Sequence, residues 1–89
     1  MEPTEPPRIE FPCRYPIKVM GANDEDFVEL VFDVHRRHAP AVTRADLSVR
    51  ESRGGRWVAV TVVIEAEHPE QIEAIFTDLK ATGRVELVL

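Results

Sequence analysis

The chain of 89 residues has a single cysteine, four glycines, six aromatic side chains and fewer basic than acidic groups, and each shortage excludes something. Cys13 alone cannot close an internal disulfide, and no CxxC or CxxC…HxxxH set with zinc spacing occurs. A reduced, cytoplasmic protein without a bound metal or cofactor is expected. No apolar run approaches the ~18 residues that span a bilayer. The opening "MEPTEPPRIEFP" also lacks the basic start and apolar middle of a secretion signal. Neither export nor membrane insertion is expected. Eleven basic against sixteen acidic side chains leave a net charge of -5, opposite in sign to a surface built to grip phosphates. Nucleic acid is therefore not an expected partner. Gly54 and Gly55, the only paired glycines, sit between two strand-like runs, whereas phosphate cradles lead from a strand into a helix.

The prolines that are present crowd the beginning. Four of the seven precede Phe11 or follow it directly, with almost no apolar residue before Ile9, so residues 1–10 are expected to form a tail. Residues 11–89 make one domain, since a chain of this length buries only about 60–65% of its unfolded surface around one core.

Within that domain, Tyr15, Ile17 and Val19 alternate with Pro16, Lys18 and Met20, which predicts a first strand ending at Gly21. "GANDED" then carries helix-start chemistry, with Asn23 as N-cap and three carboxylates at the positive end of the dipole. Phe27, Leu30, Val31, Val34 and His38 recur at steps of three and four, and Pro40 forbids continuation, so a helix is expected over 24–38. "RADLSVRE" alternates as a half-solvated edge strand, and "SRGGR" reads as a hairpin turn. "RWVAVTVVIEA" is apolar on both faces, as a central strand is. "HPEQIEAIFTDLKATG" predicts a second helix, with Pro69 in its first turn, Ile72, Ile75, Phe76 and Leu79 toward the core, and Gly83 as its stop. "RVELVL" closes as strand four.

The order βαββαβ with right-handed crossovers predicts a ferredoxin-like α/β (α+β) sandwich, its antiparallel sheet ordered 4-1-3-2 with both helices on one face. That fold serves RNA readers, metal carriers, acyl-phosphate hydrolases and amino-acid sensors, so function rests on sites. The RNA readers stack bases on two or three sheet aromatics, and the open face here offers only Trp57. The hydrolases need an arginine in a glycine-rich loop after strand one, where this chain has "GANDED". The metal carriers need paired cysteines. Cys13, Ser48 and Ser52 lack a base and an orienting group nearby, and Glu65, Glu67 and Glu70 point outward as solvated carboxylates.

The stretch "HRRHAP" puts His35 and His38 three residues apart. As a metal site it would need a third ligand such as His68, and its i,i+3 spacing has no carboxylate partner in register. It reads instead as a helix terminus, with His38 continuing the core stripe or capping the helix end and His35 solvated beside Asp33 and Arg36. His68, directly before Pro69, stands at or next to the second N-cap.

Taken together, "FPCRYPIKVMG", "VHRRHAP", the glycine hairpin and "EAEHPEQIEAIFTDLKATGRVELVL" resemble the YbeD-like proteins, small bacterial proteins, from about Phe11 to Leu89. The resemblance implies a ferredoxin-like fold close to the ACT regulatory domains and a naming link to lipoate metabolism. It transfers no catalytic residue. ACT domains usually carry a glycine shortly after the acidic loop residue, where this chain has Phe27.

Two expectations about function follow. The first is a non-enzymatic regulatory or interaction module. It would meet a protein partner, or a second copy of itself, through an open sheet face bearing Met20, Trp57, Ala59, Thr61 and Val63, beside Lys18 and Val88, or hold a zwitterionic metabolite in the loop Gly21, Ala22, Asn23 and Asp24. The alternative is a small enzyme using His38 or His68 as acid or base, which calls for a cleft and a neighbouring carboxylate.

Overall fold

A computed structural model describes residues 10–89. The tail expected over 1–10 lies outside the described residues except for Glu10. The elements are β1 (Cys13–Ala22), α1 (Phe27–His38), a short 3₁₀ turn (Arg44–Asp46), β2 (Leu47–Glu51), β3 (Trp57–Ala66), α2 (Pro69–Ala81) and β4 (Val85–Val88). The strands form one antiparallel sheet in the order β2-β3-β1-β4, the topology expected from the sequence.

The pairing of β1 with β3 runs without interruption from Cys13↔Ala66 to Ala22↔Trp57. Odd residues of β1 and even residues of β3 therefore share one face, and Ile17, Val19, Val58, Val60, Val62 and Ile64 are fully buried there. Phe27, Val31 and Val34 of α1 and Ile72, Ile75 and Leu79 of α2 close over them. β1 begins two residues earlier than the alternation of tyrosine and isoleucine suggests, and Cys13 is a partly buried strand residue. Pro16 is tolerated because β4 pairs with β1 only from Lys18 onward, where Lys18 and Leu89 exchange both backbone bonds at 3.1 and 2.8 Å. The missing amide faces an uncovered stretch of sheet.

Gly54 and Gly55 adopt φ of 87° and 73° in the β2–β3 hairpin, a region side chains with a Cβ enter at a cost. Gly21 is required for a different reason. A Cβ there would lie 2.5 Å from the Phe27 ring and 2.7 Å from the Arg84 carbonyl oxygen. The glycine lets the first ring of α1 settle against the sheet.

Three expectations are corrected. α1 starts at Phe27 rather than residue 24, because Asp24 and Asp26 are held by Arg84 (3.3 and 2.7 Å) in a turn, and Asp26 occupies the N-cap without a side-chain cap bond. Arg44–Asp46 is a 3₁₀ turn and not strand, since the Asp46 carboxylate folds back onto the Thr43 amide at 2.9 Å. Val88 belongs to the helix side: it pairs with Val19, while Val85 pairs with Gly21, and a bulge between these contacts turns Leu87 outward opposite Met20.

Candidate functional site

The helix terminus "HRRHAP" has the two imidazoles in exchanged roles. His35, expected in solvent, is completely buried, and its Nδ1–H donates to the Val31 carbonyl oxygen at 2.8 Å. Its Nε2 is buried without a hydrogen-bond partner among the described residues. Burial holds its pKa below the ordinary histidine value, with the Val31 bond working the other way and the charge of His38 adding to the lowering. His38, expected to continue the core stripe or cap the helix end, is only part-buried, and its Nε2 meets Asp78 of α2 at 2.6 Å. The correction has a geometric cause: both residues lie four positions beyond a buried valine, Val31 or Val34, and the packing of α2 decides between them.

His38 also lines a cleft of about 260 Å³ between the end of α1 and the free end of β3, together with Arg14, Asp46, Glu65 and Gln71. Gln71 spans its floor, donating to the His38 carbonyl oxygen at 2.7 Å and accepting from the Glu67 amide at 2.7 Å. Among the described residues no serine, cysteine, threonine, lysine or tyrosine lines it. His68, the other acid–base candidate, is the N-cap of α2, accepting from the Gln71 amide at 3.2 Å. Among the described residues, no group of three or more histidine, cysteine or carboxylate side chains stands together as a metal site.

The loop of Gly21, Ala22, Asn23 and Asp24 is closed by its own bonds. The Asn23 amide donates to the Arg56 carbonyl oxygen at 3.0 Å, its side-chain Nδ2 to the Gly55 carbonyl oxygen at 2.9 Å, and the Asp24 amide to the Ala22 carbonyl oxygen at 2.9 Å. Arg84 completes the seal, and its hydrogen bond holds the Asp26 carboxyl below the usual carboxylate range. These amides are engaged before any ligand arrives.

The open sheet face has no such internal closure. The register puts Met20, Trp57, Ala59, Thr61 and Val63 on it, as the alternation predicts, and adds Leu87 and Leu89. Trp57 is 42% exposed, Leu87 46% and Leu89 61%. The indole of Trp57 stands between two shallow depressions, one shared with Lys18, Arg50 and Ala59, the other with Glu86 and Leu87, and Met20 borders both. Leu87 escapes a strict period-two reading because of the bulge in β4, which only the pairing reveals.

The family model for a protein of unknown function, DUF493, matches residues 6–89. The chain belongs to the DUF493 family. A UPF0250 protein of Ectopseudomonas mendocina is 52% identical over 86 residues, covering 96% of this chain and 94% of its own. One from Azotobacter vinelandii is 54% identical over 84 residues, covering 93% and 91%. These relatives bear out the resemblance to the YbeD-like proteins. The DUF493 fold is shared with the solution structure of protein HP0495 from H. pylori, at a TM-score of 0.73 and 15% identity over 97% of this chain and 90% of that one. At that identity the likeness speaks for the architecture alone. No helix among the described DUF493 residues is long and apolar enough to cross a membrane.

Proposed function

We propose that this protein is a non-enzymatic regulatory module of the cytoplasm that acts by docking a protein partner through its open sheet face. The observation that supports this reading most is the exposed apolar cluster of Trp57, Leu87 and Leu89, contiguous with Met20, on the side opposite both helices. Scattered apolar residues mean little on a surface, but a tryptophan with apolar neighbours has the composition of an interface centre. The Gly21–Asp24 loop, by contrast, offers few free donors to a metabolite. The resemblance to YbeD-like proteins makes lipoate metabolism the first setting in which to seek the partner. The test compares affinity purification from native cytoplasm using the wild-type chain and a Trp57→Ser, Leu87→Ser variant of unchanged circular dichroism. A partner retained by the first and lost by the second supports the reading; identical retention by both sinks it.

A second reading, an acid–base enzyme, is favoured only by the His38–Asp78 pair at the rim of the cleft. The same pair ties the end of α1 to α2, a structural role that needs no substrate.

A further inference from the structure

Most of the unpaired cations of the described residues lie in or next to the strands and hairpin around Trp57. Among the described residues Arg14, Arg37, Arg44 and Arg84 each hold a carboxylate within 4 Å. Six cations hold none: Arg36 and Lys80 lie on the helices, while Lys18 and Arg50 line the depression beside Trp57 and Arg53 and Arg56 stand exposed in the hairpin that precedes it. Two carboxylates, Glu51 and Glu86, line the depressions beside Trp57, and of the three acidic residues in the neighbouring 24–26 turn, Asp24 and Asp26 are held by Arg84. In a molecule of net charge -5, unneutralised cations around an exposed apolar centre are a local exception.

We infer that the occupant of this face is an acidic peptide segment of a protein partner, with one apolar anchor seated against Trp57 and flanking carboxylates that meet Lys18, Arg50, Arg53 and Arg56. The inference rests on the interaction reading above and adds the chemistry of the partner. A two-fold copy of the chain would bring the same cations toward one another. A nucleic acid is a long polyanion that meets the net negative field of the whole molecule, and one aromatic gives it a poor stacking platform. A short segment with a few carboxylates feels chiefly the charges within about one screening length, ~8 Å at physiological salt, and Lys18 and Arg50 line the depression beside Trp57 itself.

The experiment selects a phage-displayed random peptide library against the full chain. Trp57 is the only tryptophan, so its emission reports engagement of this face directly. Enriched peptides should carry a large apolar residue flanked by Asp or Glu and shift Trp57 emission to the blue. They should weaken with added NaCl and lose roughly tenfold in affinity to an Arg50→Glu, Arg56→Glu variant of unchanged circular dichroism, as the loss of two exposed charge pairs requires. Peptides that shift Trp57 emission yet lack acidic residues and ignore the charge reversal overturn the inference while leaving the interaction reading intact. Peptides that leave Trp57 emission unchanged, or a selection that enriches none, overturn both. Saturable binding of poly-uridine, or a low-salt dimer abolished by Trp57→Ser, reassigns the face to another occupant and overturns the acidic segment.

Discussion

At the scale of single residues, two positions carry the sharpest consequences. Gly21 is buried beneath the Phe27 ring with no space for a methyl group, so Gly21→Ala must push either the ring or the Arg84 backbone aside. Overpacking of this kind should cost about 2–3 kcal/mol, which lowers the melting temperature by roughly 10–20 °C in a domain of this size. A urea titration that leaves stability unchanged would show that the ring finds another place. His35 is the second. Its folded pKa lies below the unfolded value, since burial disfavours the imidazolium, so below about pH 6.5 the unfolded chain takes up a proton the native chain refuses. Stability therefore falls as pH drops through that value, by at most about 1.4 kcal/mol per unit, until the lowered native pKa is reached. His35→Leu fills a similar volume and removes the unpartnered Nε2. It should hold wild-type stability or better at pH 7 and lose less between pH 7 and pH 5. His35→Ala, which opens a cavity, should cost about 2–4 kcal/mol at both. An equal pH dependence in wild type and His35→Leu would assign the acid sensitivity to other groups.

At the scale of elements, the junction of α1 and α2 is held by polar contacts laid around the apolar seam. His38 bonds Asp78, and Gln71 reaches the His38 carbonyl oxygen. Gln71→Ala removes that bond and the one from the Glu67 amide, and should cost about 1–2 kcal/mol. A double-mutant cycle of His38→Ala and Asp78→Ala should show coupling of about 0.5–2 kcal/mol; additive losses would mean the contact carries nothing. These elements were themselves largely legible in the sequence. Strands β1 and β3 alternate cleanly because one face is buried and the other is not, and β3 is apolar on both, as its central place demands. What stayed illegible depends on residues far apart in the chain. The start of α1 is set by Arg84, some sixty positions from Asp24 and Asp26, and three successive acidic residues suit a helix start equally well. His35 and His38 each follow a buried valine by four, so periodicity cannot rank them. Leu87 and Val88 exchange faces through a bulge opposite Met20 and Gly21. The open-face candidates on β3 needed only alternation, and alternation placed them.

At the scale of the whole molecule, the same unpaired cations that mark the sheet face govern how copies of the chain meet. The largest exposed apolar side chains of that face, Trp57, Leu87 and Leu89, favour burial against a second copy, while Lys18, Arg50, Arg53 and Arg56 around Trp57 oppose it. Which effect wins depends on screening. Raising ionic strength from about 0.1 to about 1 M contracts the screening length from about 10 to about 3 Å, and sulfate in addition strengthens apolar burial. The chain should therefore sediment as a monomer in dilute NaCl over a wide concentration range and begin to dimerise in concentrated sodium sulfate. Trp57→Ser should abolish the high-salt dimer while leaving secondary structure intact, because the indole projects from the sheet and the core lies on the other side. The opposite salt dependence, a dimer in dilute salt that dissociates as salt is added, would mean that Glu86 and Glu51 pair with those cations across a two-fold axis, and the face would then be the protein's own interface.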